Sequence, residues 1–370
     1  MKAVAVFASE QKLRLVDHPE PQILSPTQVA LRVREVGVCG TDREIAAGAY
    51  GTPPEGERYL VVGHEALGEV VEVGTSVTRL KKGDLVVPTV RRPCKDMRCR
   101  ACGQGRPDFC MTGEFGQRGI RAVHGYLAER VVDEQRYMVP VPAELRDVAV
   151  LTQPLSVAEA ALRQVDDYQR RLPWAEELEG RGGRAPERVA VVIGAGPVGA
   201  LAALALRVRG WETFIHSREP RGKKSALAES FGIGWSSRRE ETLEELASRA
   251  GPIDLVLEAS GASPLAFEAL PALGPNGVFV FTGIPGRKGP VPRELGNAMP
   301  GIVLKNQAVL GVTNPSVDAY RAAVQDLALF ARRWPALLPQ LVTTRRPLDD
   351  AREVIEGSAR AFKEVISLEA

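Results

Sequence analysis

The sequence predicts an α/β protein of two domains, a strand-rich domain followed by a doubly wound parallel sheet. Three observations carry this. Residues 1 to about 160 are crossed by β-branched runs bounded by Gly, Pro and Asp. From Arg188 onward, apolar strands alternate with helices. The stretch "RVAVVIGAGPVGALAALALRVRG" joins a buried strand, a glycine turn and an Ala/Leu helix in one unit. A chain of 370 residues also exceeds what one ordinary core organises.

In order, AVAVF, VALRVREVGV, LGEVVEVG and DLVVPTV read as the first domain's strands. Residues 162 to 186 are charged and glycine-dotted, a helix followed by an exposed connection. The glycine-turn unit ends at Gly210, "WETFIHS" is the next strand and "KKSALAESFG" a helix with a glycine stop. "IDLVLEAS" and "GVFVFTGI" are two further strands with helix between them. The alternation fades near Gly311, and the final helical segments are expected to return to the first domain. The expected divisions are residues 1–186, with a cysteine lobe at 94–110, then 187–312 and 313–370.

Composition excludes several function classes. No run of about eighteen apolar residues occurs, so no membrane span is expected. The first residues lack the apolar core and cleavage site of a signal peptide, which points to the cytoplasm. Net charge is +2 with both signs interspersed, so nucleic acid and acidic membrane are poor partners. The five cysteines are odd in number and four crowd into residues 94 to 110, a metal pattern rather than a disulfide framework.

The glycine turn reads as a dinucleotide fingerprint, because it follows an apolar strand and opens a helix. Gly194 permits the tight turn, Gly196 lets backbone approach a pyrophosphate, Pro197 and Val198 begin the helix, and Gly199 allows close helix–strand packing. At the end of the second strand, Ser217 and Arg218 stand where an acid would select NAD. A hydroxyl followed by a guanidinium suits the 2′-phosphate of NADP, with NAD use open through Glu219.

Cys99 and Cys102 form a CxxC chelate, and Cys94 and Cys110 close a tetrahedral thiolate site for a structural zinc. Asp96 is an alternative first ligand. Cys39 in "VGVCGTD" and the pair His64-Glu65 in "VVGHEALGEV" supply sulfur, nitrogen and oxygen, the mixed set of a catalytic zinc. Spacing alone leaves a buried filler cysteine equally open.

These motifs, "GVCGTD", "GHEALGEV", the four-cysteine lobe, "TGEFG…HGYLAE" and "GAGPVG", occur in the order of the zinc-containing medium-chain dehydrogenases/reductases. "CGTDREI", "DFCMTGEFGQRGI" and "LTQPLSVAEAAL" resemble its glucose 1-dehydrogenase branch more particularly. The resemblance covers essentially the whole chain. It implies a GroES-like catalytic domain joined to a Rossmann domain, two zinc ions per chain, NADP or NAD, and a homotetramer. It puts the catalytic zinc on Cys39, His64 and the neutral donor Gln153, with Glu65 as the neighbouring acid that ligates the metal or alternates with water. Thr41 matches the hydroxyl that relays the substrate proton, and Glu44 stands near the position that receives it. Glu114, Gln153 and Asn314 match groups that bind sugar hydroxyls. Ser260, Thr282 and Asn314 are the further cofactor positions. Where the branch often has an acid, this chain has Val157, which bears on sugar preference. His18 reads as a surface strand residue, His124 as structural, and His216 as lining the adenosine side. The implied reaction is oxidation of the C1 hydroxyl of an aldose such as D-glucose to the lactone. The alternatives are another polyol or secondary-alcohol dehydrogenase and, more remotely, a non-catalytic NADP-binding protein.

Overall fold

The structure is a computed structural model that describes residues 1–7, 10, 12–175, 188–284, 298–312, 314–357 and 362–369. The chain forms two compact units, residues 1–156 with 314–370, and residues 157–313. The division falls inside the helix Thr152–Gln169, well before residue 186, and the stretch read as a connection lies outside the described residues from 176 onward. A continuous helix carries the chain from one unit to the next, so no change of composition marks the division.

In the first unit, the long strand Gln28–Val38 is the axis of a seven-stranded sheet. It pairs antiparallel with Glu65–Val73, Arg130–Glu134 and the C-terminal strand Lys363–Ser367. The C-terminal segment thus returns to this unit, as two strands, Val342–Pro347 and Lys363–Ser367, besides the helices Val317–Arg333 and Ala351–Glu356. Val33, Val36, Leu60, Val62, Leu127 and Ile366 meet in one core cluster against this sheet.

A buried charge cluster sits behind it. Asp133 pairs with Arg92 and with Arg118 at 2.8 Å, and it is 7% exposed. Burial alone would raise the Asp133 carboxyl, yet the two guanidinium groups hold it down to about 2. A depressed carboxyl stabilises the fold above its unfolded value and loses that contribution as pH falls toward 2. The shift corresponds to about 2 kcal/mol. The stability gap between the wild type and Asp133→Asn, read by urea unfolding, should therefore be wide at pH 6 and narrow steadily below pH 4. A gap that does not change with pH would refute the pairing.

The second unit is a six-stranded, all-parallel sheet, in the spatial order Gly234–Ser237, Glu212–Ser217, Val189–Ile193, Ile253–Glu258, Leu273–Phe281, Ala308–Gly311. The strand order reverses direction at Val189–Ile193, whose five residues are all buried, as expected of a strand covered on both faces.

Candidate functional site

Cys39 follows directly on the axial strand and caps the helix Gly40–Ala46. Its Sγ accepts from the Thr41 amide at 3.3 Å, and its own amide donates to Asp42 Oδ2 at 2.9 Å. This reciprocal cap fixes the sulfur at the helix N-terminus. Gly63, at φ 87°, turns the chain between two strands and delivers His64 and Glu65 to the same place. His64 Nε2 lies 3.3 Å from Cys39 Sγ, and Nδ1 lies 3.2 Å from Asp42 Oδ1. The donor atoms of Cys39, His64 and Glu65 all lie within 4.8 Å of one another. Two tetrahedral zinc ligands, one sulfur and one nitrogen, stand roughly 3.5 Å apart, so the spacing fits that ion. The electrostatics fit as well. Burial works against a charged imidazole, but the Cys39 sulfur and the Asp42 carboxylate outweigh it and hold His64 well above the usual histidine range. A cation is favoured between these groups.

Two residues of this centre escaped the sequence reading. Asp42 is fully buried and orients the imidazole from behind; its placement three residues after Cys39, as a cap partner, is the signal that marks it. Lys363, 1% exposed, pairs with Glu65 Oε2 and donates to the Val38 carbonyl at 3.2 Å. It arrives from the C-terminal strand, and nothing in the local sequence announces it.

The remaining residues expected at the site lie as follows. Thr41 and Glu44 are half-buried on the helix that Cys39 caps. Gln153, 9% exposed, opens the helix Thr152–Gln169. Asn314, at φ 57°, accepts from Gln117 Nε2 at 2.9 Å. The Glu114 carboxylate is 77% exposed and lies 3.5 Å from Arg121.

Cys94, Cys99, Cys102 and Cys110 bring their sulfurs within 4.8 Å of one another around the short helix Arg100–Gly103. Asp96 is engaged instead by Arg98, through its amide at 2.9 Å and its Nε at 3.2 Å. The Cys102 and Met111 amides draw the Cys99 thiol down, while burial and the neighbouring sulfurs push Cys102 up to about 12. Four sulfurs so close cannot all ionise unaided, and a divalent cation resolves the conflict.

In the second unit, Gly194 takes φ 108°, and a Cβ on Gly199 would strike the Gly194 carbonyl. The space before Gly196 is open, as a pyrophosphate requires. Pro197 and Val198 form the first turn of the helix Pro197–Val208, capped by Gly196. Ser217 is buried at its strand end and accepts from the Glu219 amide at 3.1 Å. The Glu219 carboxylate is taken by Lys224 Nζ at 2.7 Å, while Arg218 is exposed beside it. Ser260 donates from Oγ to Glu258 Oε1 at 2.7 Å, and the Thr282 hydroxyl donates to the Glu258 carbonyl at 2.7 Å, so the fully buried Glu258 organises both.

Two of the other histidines, His216 and His18, differ from the sequence reading. His216 is 1% exposed with Nδ1 2.9 Å from Ser236 Oγ, and burial lowers it to about 4, the behaviour of a core residue between strands. His18 is half-buried against Tyr59 and His124, with ring centroids 5.8 and 4.9 Å away.

A family model for the glucose dehydrogenase C-terminus matches residues 146–368, and one for the alcohol dehydrogenase GroES-like domain matches residues 25–143. The glucose 1-dehydrogenase of Methanocella arvoryzae is 37% identical, covering 100% of this chain and 99% of its own. That of Thermoproteus tenax is 38% identical with 100% of both chains covered. A solved structure of Haloferax mediterranei glucose dehydrogenase in complex with NADP, Zn and gluconolactone superposes with TM-score 0.88 at 30% identity, covering 100% of both chains. Similarity that spans the whole chain, carried by both domain types and by the two metal-donor groups, places this protein in the glucose dehydrogenase family of zinc-containing medium-chain dehydrogenases/reductases.

Proposed function

We propose that this chain oxidises the C1 hydroxyl of an aldose, D-glucose foremost, to the lactone with NADP as acceptor. The observation that carries the reading is the meeting of Cys39, His64 and Glu65, the mixed sulfur, nitrogen and oxygen donor set of a catalytic zinc. With Gln153, these residues would hold a zinc ion, which supplies Lewis-acid stabilisation to the C1 oxygen as NADP supplies the hydride acceptor. Asp42 holds the imidazole so that Nε2 faces the metal position. Thr41 takes the hydroxyl proton and Glu44 receives it, a relay directed away from the metal position. Glu114, Gln153 and Asn314 bind the remaining hydroxyls, and a polar set of this kind discriminates against simple alcohols, which would leave its groups unpaired. Gly194, Gly196 and Gly199 seat the pyrophosphate, and Ser217 with Arg218 binds the 2′-phosphate. Ser260 and Thr282 complete the cofactor contacts on this reading.

The cysteine lobe holds a second, structural zinc through Cys94, Cys99, Cys102 and Cys110. We further propose a homotetramer, to be tested by light scattering. A cytoplasmic location, where the lobe thiols stay reduced, completes the reading. Among the described residues no helix is long and apolar enough to cross a membrane.

Initial rates over a panel of glucose, galactose, xylose, polyols and simple alcohols, with each cofactor, test the function. Fastest NADP reduction with an aldose is expected. A secondary alcohol or open-chain polyol that outpaces every aldose would reassign the substrate class. Arg218→Ala should raise KM for NADP by about 10–100-fold, since a charge-assisted contact contributes about 1.5–3 kcal/mol, with little change for NAD. Equal changes for both cofactors would remove Arg218 from the 2′-phosphate.

A further inference from the structure

Arg91 and Arg92 stand together on one short strand, 5% and 9% exposed. Alternation along a strand sends neighbouring side chains to opposite faces. Arg92 has a carboxylate partner on its face: it pairs with Asp133 and donates to the Thr89 carbonyl at 2.9 Å and to Tyr126 at 3.2 Å, although its Nε, like that of Arg91, has no hydrogen-bond partner. Arg91 has no such set. Among the described residues no carboxylate stands within ion-pair distance of it, and its Nε is buried without a hydrogen-bond partner. Its guanidinium carbon lies over the Phe115 ring, 3.2 Å from the ring centroid. Stacking on a ring does not replace the hydration that a buried cation gives up.

The cysteine lobe that packs on this strand offers an anion. Burial works against the Arg91 cation and so does Arg121, while the Cys110 sulfur, Tyr50 and Asp108 favour it. Asp108 is already held by Arg106, with contacts at 2.6 and 3.0 Å. The Arg91–Arg92 strand packs on the turn Pro107–Phe109 that leads into Cys110. Four thiolates around a divalent ion form a formal dianion; of the lobe's own arginines, Arg98 and Arg106 are committed to carboxylates and Arg100 is exposed to solvent.

We infer that Arg91 is the buried counter-ion of the four-cysteine zinc cluster, stacked on Phe115 and set against Cys110. It is a positioning residue, and the inference rests on the structural-zinc reading of the lobe. The guanidinium offsets the negative charge that four sulfurs concentrate, which slows loss of the metal.

Zinc release from the purified, zinc-loaded protein to a chromogenic chelator tests this, with Cys102→Ser identifying the lobe's share. Arg91→Met should release lobe zinc roughly 10–100-fold faster, the range seen when a group behind the metal ligands is lost, while Arg91→Lys stays within about threefold of wild type. Release of the catalytic zinc should be unchanged in both. Wild-type release from Arg91→Met, or equal acceleration in Arg91→Lys, overturns the counter-ion role. If Arg91→Met does not fold, Arg91→Lys decides alone: near-wild-type release supports the role, and acceleration of about tenfold or more overturns it. A Cys102→Ser variant that keeps both zinc ions defeats the lobe reading itself, and the inference with it.

Discussion

His64→Ala should lose one of two zinc ions per chain and almost all turnover, while NADP binding survives. Removing the imidazole leaves Cys39 and Glu65 with the weak neutral donor Gln153, too few for tight binding. It also leaves the Asp42 carboxylate, fully buried, without the ring it faces at 3.2 Å. Without charge stabilisation at the C1 oxygen, turnover should fall by at least about 10³-fold. The glycine turn at Gly194–Gly199 belongs to the other compact unit, so cofactor affinity, read by fluorescence, should hold. The four-cysteine lobe uses none of these residues and should keep its ion. Unchanged zinc content with intact turnover would remove His64 from the metal.

Lys363→Met should destabilise the metal-free protein by about 3–5 kcal/mol, the cost of leaving a buried carboxylate without its partner. Lys363 is 1% exposed, its ammonium group pairs with Glu65, and it also satisfies the Val38 carbonyl at 3.2 Å. Glu65 has little room to move away, because even a Cβ on Gly37 would collide with its carboxylate. A bound divalent ion compensates the same carboxylate, so the penalty should shrink in zinc-loaded protein. Adding Glu65→Gln should recover much of the loss, since a neutral amide no longer requires the ammonium. Guanidinium unfolding of the single and double variants, with and without zinc, measures each term. If the penalty were the same with zinc bound and absent, Lys363 would be unconnected to the metal centre.

The two residues that these experiments lean on differ in how visible they are. The parallel sheet was legible because its buried strands and glycine turn obey local rules, from "RVAVVIGAGPVG" to "GVFVFTGI". Gly234–Ser237 was not, since "GWSS" is short, polar and at the sheet edge, where pattern is weakest. The cysteines and the His64-Glu65 pair stand out by residue type alone. Asp42 hides in a charged-looking "TDRE", although it is fully buried. Lys363 lies 325 positions from the Val38 carbonyl it contacts, and only the pairing of the last strand with the axial strand brings it there. Likewise, His216 reads as a ligand-facing strand end until its neighbour Ser236 is placed by the edge strand.

The central claim is hydride transfer from an aldose C1 to NADP, and isotope transfer tests it most directly. The purified enzyme is given D-glucose carrying deuterium at C1, with NADP, and the reduced cofactor is weighed by mass spectrometry. One deuterium per NADPH, with none retained in the lactone, is the expected result. NADPH that forms without label, or no glucose-dependent NADPH from zinc-loaded protein, would contradict it.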